Sequence, residues 1–165
     1  LPVHTFNVGD VLAASDVNSW LAPLAGVKSA DQTISSQTTL VNDADMRFAM
    51  AATATYEFRV YLRYSSGTGQ DWKSSFSIPA GAVCRFQRIG KDLSGNFGSV
   101  TEQTDAGSVT SLGSGVGSIL NANFIGVVAT TGTAGNLVFQ WAQNTSGAFN
   151  TTLYQYSYLV GRRIG

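Results

Sequence analysis

Thr55-Tyr56-Glu57-Phe58-Arg59-Val60-Tyr61-Leu62-Arg63-Tyr64 decides the fold class. In an extended chain Tyr56, Phe58, Val60, Leu62 and Tyr64 point one way, and Glu57, Arg59, Tyr61 and Arg63 point the other. Period-two alternation held this long marks a strand with one face on a core and one toward solvent. The flanking sequence repeats the theme. Downstream, Ser65-Ser66-Gly67-Thr68-Gly69 is a turn, and Trp72, Ser74, Phe76 and Ile78 share one face of the next strand until Pro79 and Gly81 end it. Val83 to Ile89, a weak stretch near Phe97 to Thr101, Asn121 to Ala129, Asn136 to Gln143 and Thr151 to Arg162 follow as strands. Upstream, Met46, Phe48 and Met50 alternate with Asp45, Arg47 and Ala49, and Ser29 to Leu40 reads as one or two strands broken near Ser35-Ser36. Roughly eight to ten strands without intervening helices predict an all-β chain, an antiparallel β-sandwich. No fixed-period repeat is present, which excludes propellers and solenoids. Residues 90–118, rich in glycine and poor in apolar periodicity, read as long loops.

The opening residues differ. Val3, Phe6, Val8, Val11 and Leu12 are interleaved with polar residues, and Ser15-Asp16-Val17-Asn18-Ser19-Trp20-Leu21 follows, with Pro23 shortly after. Ser15 suits an N-cap, Asp16 suits the positive end of a helix, and Pro23 stops it. A helix of barely two turns is marginal alone and must bury its Val17, Trp20 and Leu21 face on something. Two destinations stand: its own β-domain as a lid, or a neighbouring protein as a docking site. The expected organisation is therefore an arm over residues 1–26 and a β-sandwich over 27–165.

Charged residues make up 12% of the chain, against about 25% in ordinary soluble domains. Ten basic and ten acidic residues cancel, which argues against nucleic-acid binding driven by phosphate neutralisation. Neither a signal-peptide pattern nor an apolar run of membrane-spanning length occurs, so no membrane partner is expected. Asn144-Thr145-Ser146 and Asn150-Thr151-Thr152 match the glycosylation sequon but read as polar turns.

Nothing local carries catalysis. His4 is the sole histidine, near the terminus, and Cys84 lies in an alternating stretch that suits a buried thiol. Glu57 and Glu102 are not placed as an acid and base pair. Asp43 and Asp45 lack the glycine and glutamate frame of a calcium loop and read as a solvated turn. Gly113-Ser114-Gly115-Val116-Gly117 lacks the Lys-Ser/Thr ending of a phosphate loop. Trp72 and Trp141 share faces with apolar neighbours and belong to a core or interface rather than a carbohydrate platform. The chain is expected to be non-enzymatic, with no cofactor and no metal. In the last strand Tyr154, Tyr156 and Tyr158 line one face while Leu153 and Leu159 sit on the other. Large rings with polar tips suit an oligomer contact, the alternative being tyrosines on a plain surface or under a loop.

The run from Phe6 to Leu21, with its Gly9-Asp10-Val11-Leu12 step, Ala14-Ser15-Asp16-Val17-Asn18 and Trp20-Leu21, resembles the opening of many small virion proteins of tailed phages, especially those of actinobacteria. Ala51 to Phe58, Gly135 to Asn144 and Ser157-Tyr158-Leu159 resemble strands of the same proteins' β-domain. The resemblance implies a jelly roll like the trimeric tumour-necrosis-factor and C1q heads, with aromatic-rich strands around a threefold axis. It implies that Phe6, Val8, Val11, Leu12, Val17, Trp20 and Leu21 dock on a particle, and that Tyr154, Tyr156 and Tyr158 lie in a homotrimer interface. The role it implies is a capsid decoration or head-fibre protein on the virion surface, assembled in the host cytoplasm and partnered by the major capsid protein. A minor tail or tail-fibre protein that recognises the host surface, partnered by tail proteins, is the alternative.

Overall fold

The computed structural model describes residues 23–99, 103–104 and 107–165. The arm residues Phe6, Val8, Val11, Leu12, Val17, Trp20 and Leu21, with His4 and Glu102, lie outside the described residues. Within them the chain is a two-sheet antiparallel sandwich with no helix. The first sheet runs β1 (Leu24–Val27), β13 (Tyr158–Arg163), β4 (Thr55–Ser65), β10 (Leu120–Ala129), β6 (Val83–Lys91) and β7 (Phe97–Ser99). Off that path β12 (Thr151–Leu153) pairs with β4 and with β2 (Gln32–Ile34), and β8 (Gln103–Thr104) pairs with β6. The second sheet runs β3 (Val41–Met50), β11 (Gly135–Gln143), β5 (Trp72–Ser77) and β9 (Val109–Ser111).

The strand order identifies the architecture. Let β1, β3, β4, β5, β9, β10, β11 and β13 count as first to eighth; the sheets then read 1-8-3-6 and 2-7-4-5. That interleaving is the wound double Greek key of a jelly roll, with β6 added beyond β10. Alternation does the rest. Tyr56, Phe58, Val60, Leu62 and Tyr64 of β4 are all buried, as are Met46, Phe48 and Met50 of β3. Phe76 stands at the centre with its ring edge-on to Phe58 and Phe86 at 4.9 Å and to Phe139 at 5.7 Å, a geometry that aromatic quadrupoles favour. Trp72 and Trp141 stack at 5.0 Å and are fully buried, which makes both core residues. Gly126 and Gly161 face this core, where a Cβ would collide with the rings of Phe58 and Phe48. Bare backbone is what lets those two rings seat.

Three expectations meet corrections and one holds. The closing strand is not continuous: β12 ends at Leu153, β13 begins at Tyr158, and the four residues between form a bulge with Tyr156 at φ 69°. Asp43 and Asp45 do not form a solvated turn between strands, because both belong to β3 and Asp43 is buried. Short strands β1 and β9 escape the sequence pattern. The break at Ser35-Ser36 is real, with Ser36 at φ 51°.

Candidate interaction face

Two bulges orient one end of the sandwich. In β3, Asn42 opposes Gln140 and Arg47 opposes Val138, so Asp43 to Met46 bow out of register. That bow leaves backbone donors without ladder partners, and the Asp43 carboxylate takes two of them: Oδ1 accepts from the Asp45 and Met46 amides, each at 2.9 Å. Oδ2 of Asp43 meets Lys28 Nζ at 3.0 Å, with both side chains almost wholly buried. Lys28 also donates to Gln32 Oε1 at 2.7 Å. Because Lys28 directly follows β1 and Asp43 sits on β3, the pair ties the two sheets together. A buried charge holds this way only when paired and hydrogen-bonded. Asp45, beside it, accepts from the amide and hydroxyl of Ser29, which hold its carboxyl below the usual carboxylate range, with Lys28 contributing.

The second bulge settles the tyrosines. The Tyr154 amide donates to Arg63 O and the Arg63 amide to Ser157 Oγ, so the extra residues are pinned across β4. The Tyr156 amide and the Lys28 carbonyl bond at 3.1 Å, which joins this bulge to the Lys28 cluster. In consequence Tyr154, Tyr156 and Tyr158 do not share a face. Tyr154 is half-buried with its hydroxyl 2.9 Å from Ser65 Oγ. Tyr156 stands exposed on the bulge, and Tyr158 lies on the outer face of the first sheet with its ring 5.7 Å from Tyr61.

That outer face is where the chain departs from a simple solvated sandwich. Val27 of β1 is 53% exposed, Tyr158 of β13 40%, Ile125 and Val127 of β10 47% and 42%, and Val83 of β6 44%. The outer face of the second sheet instead presents Asn42, Arg47, Lys73, Ser77, Asn136 and Gln140, and no large apolar side chain is exposed on its strands. A trough crosses the first face. Its near part, about 280 Å³, lies among Pro23, Glu57, Arg59, Val160 and Arg162. Its far part, about 490 Å³, shares Glu57 and Arg59 and continues to Ile125, Val127, Arg85 and Gln87. Arg162 pairs with Glu57 at 3.0 Å. Among the described residues Arg59 has no acidic partner, so the middle of the trough holds an unpaired cation beside the Glu57–Arg162 pair, with Val160, Ile125 and Val127 as its apolar walls.

Sequence reasoning missed this face, although a signal for it existed. Phe124-Ile125-Gly126-Val127-Val128 is apolar at every position, the mark of a strand whose two faces both want cover. No reactive constellation accompanies the trough. Cys84 is buried, and no group of three or more His, Cys, Asp or Glu side chains gathers among the described residues. Burial pushes the Tyr64 hydroxyl up to about 12 and lowers Arg88, whose guanidinium donates to the Lys91 carbonyl at 2.7 Å.

No protein-family model matches the chain, and no curated protein matches it. Among solved structures it is similar to the tripod from the baseplate of bacteriophage Tuc2009, with a TM-score of 0.30, 14% identity, and coverage of 94% of this chain and 75% of that one. It is also similar to the VP2 protein of infectious bursal disease virus, with a TM-score of 0.22 and 11% identity over 99% of this chain and 44% of that one. A lipoprotein of Bacteroides thetaiotaomicron gives 0.26 and 8%, over 88% of this chain and 90% of that one. At such scores none of the three bears on what this chain does.

Proposed function

We propose that the chain is a structural protein of a phage virion, a capsid decoration or head-fibre protein whose N-terminal arm binds the major capsid protein and whose sandwich forms a homotrimeric knob at the virion surface. The observation that carries this is the opening run from Phe6 to Leu21, joined through Pro23 to a jelly roll. Each large apolar arm residue buried on a particle contributes about 1.5–3 kcal/mol, and three arms acting together add avidity. Tyr156 and Tyr158 are the tyrosines available for contact between copies; Tyr154 supports the bulge from beneath. The chain is read as non-enzymatic and without a cofactor.

A tail or tail-fibre role is the second reading. It is favoured by Phe97, 74% exposed within the glycine-rich 90–118 stretch, as a contact for a host surface.

Counting copies per virion by quantitative mass spectrometry separates the two. Hundreds support decoration, and a dozen or fewer move the protein to the tail. Deleting residues 1–22, which stops short of β1, should leave a folded trimer that no longer binds particles. Undiminished binding removes the docking role, and a monomer in light scattering at micromolar concentration removes the trimer.

A further inference from the structure

Buried polar atoms find partners in nearly every folded protein, and each exception asks for a cause. Among the described residues, four of the five buried side-chain atoms without a hydrogen-bond partner lie on strands that meet at one corner of the interior. They are Arg88 Nε on β6, Trp72 Nε1 and Ser74 Oγ on β5, and Ser111 Oγ on β9. We infer that a small monovalent anion of the halide class binds between the two sheets at this corner, with the Arg88 guanidinium as its counter-charge. Such a site is internal and holds whatever the protein's role in a virion.

Register brings the four together. Phe86 and Phe76 meet across the interior with ring centres 4.9 Å apart. From Phe86 to Arg88, β6 follows β4 from Phe58 toward Val60, through the shared partners Gly126 and Phe124. From Phe76 toward Trp72, β5 follows β4 the same way, since Phe76 meets Phe58 and Trp72 meets Tyr64. One step inward from the phenylalanine pair, Arg88 therefore faces Ser74. One step further stands Trp72, paired with Ser111, and Tyr64 sits beside Ser111 within the field of Arg88. The guanidinium reaches this second level, because a Cβ on Gly90 would stand 3.2 Å from Arg88 Nη1. Donor chemistry and charge then name the ligand. Trp72 Nε1 and Arg88 Nε can only donate, and both hydroxyls can. Arg88 is 1% exposed, and no described carboxylate forms an ion pair with it. The carboxylates nearest in effect are engaged elsewhere: Asp71 Oδ1 accepts from the Gly113 amide, and Asp92 Oδ1 from the Ser94 and Asn96 amides. A buried cation is held only where it is paired. The Lys91 carbonyl satisfies one N–H and leaves the charge unbalanced. Water would add an acceptor without charge, whereas an anion adds both. The walls are close-packed rings, Trp72 against Tyr64 at 4.8 Å and against Trp141 at 5.0 Å, which suits a monatomic anion better than an oxyanion.

The test is urea unfolding of the full chain with sodium bromide replacing sodium gluconate at constant ionic strength. An anion bound only by the folded state raises the folding equilibrium constant, by about tenfold for each tenfold rise in bromide once the site is filled. Arg88→Met, which keeps the bulk and removes the charge, should show no such rise. A flat response in the unsubstituted chain overturns the inference, as does an equal response in Arg88→Met. If that variant does not fold, crystals of the unsubstituted chain grown in bromide decide instead. The anomalous signal should fall within hydrogen-bond reach of Arg88 Nε, and a water molecule at that place, or no bromide there, overturns the site. Neither particle binding nor the trimer enters these readouts, so their outcome stands apart from that of the proposed function.

Discussion

The two outer faces of the sandwich are built by the same rule and end differently. On both sheets every second residue faces the shared aromatic core. The residues between are free of that demand, and they diverge. On the second sheet they are mostly polar, as in the Gln140 amide that donates to Asn42 Oδ1 at 2.8 Å. On the first they include Ile125, Val127, Val83 and Tyr158. Scattered apolar residues need no explanation, but Ile125 and Val127 of β10 line a trough with Val160 of β13, and a clustered set of this kind suits a contact. The difference teaches that the fold is satisfied by the inner faces alone. The outer apolar residues answer to something other than folding.

The severest way to break this comparison is to free the faces from each other. Asp43→Ala leaves the buried Lys28 ammonium only the part-exposed Asp45 carboxylate, 3.7 Å away, as a counter-charge, and leaves the bulge amides of Asp45 and Met46 unpaired. Removing one partner of a buried ion pair costs about 3–5 kcal/mol, and urea denaturation should read a loss of that size. Lys28→Met with Asp43→Leu should recover part of it, since no charge is then left alone. If Asp43→Ala were nearly neutral, the sheets would not be tied at this end.

A smaller effect tests the inner faces. Tyr64 ionises near 10 when unfolded and at about 12 when folded, raised by burial. Above pH 10 the unfolded chain releases this proton while the folded chain keeps it. Stability is therefore full below pH 10 and falls as pH climbs toward 12, by on the order of 2 kcal/mol. Tyr64→Phe forfeits the bond to the Leu112 carbonyl but should lack that alkaline slope. Urea midpoints of the two proteins between pH 9 and 12 check it; parallel curves would mean that the hydroxyl is wetter than the structure has it.

How much was legible follows from parity. The β4 alternation was open to reading because its partner β10 keeps strict register along its whole length. The closing bulge was hidden for the same kind of reason. Six steps from Leu153 to Leu159 face four steps from Tyr64 to Val60, an even surplus, so both leucines still point inward and the pattern looks unbroken. Three tyrosines then seemed to share a face that the chain never forms. Asp43 was hidden by distance: its partner Lys28 belongs to the other layer, and no local pattern joins them. The first-sheet face was half legible, present in the unbroken apolar run of β10 and absent from any alternation count.

The smallest effect bears most directly on the comparison. Judged from the described surface, Val138 on the second sheet is the better buried residue and Ile125 on the first the more exposed. Val138→Thr should then destabilise more than Ile125→Thr, both within the roughly 0.5 kcal/mol usual for surface changes. Cover over the first face reverses that order. An Ile125 side chain shut off from water in solution loses apolar contact when shortened to Thr, at about 25 cal/mol per Å² of buried apolar area. The expectation is therefore about 1 kcal/mol for Ile125→Thr and about 0.5 or less for Val138→Thr, read as paired urea midpoints in the full chain. A cost that falls to the level of Val138→Thr in the chain lacking residues 1–22 would assign the cover to those residues. A reversal that survives truncation keeps the asymmetry of the faces and assigns the cover to another copy. No reversal in either chain means that the two faces meet water alike and the comparison fails.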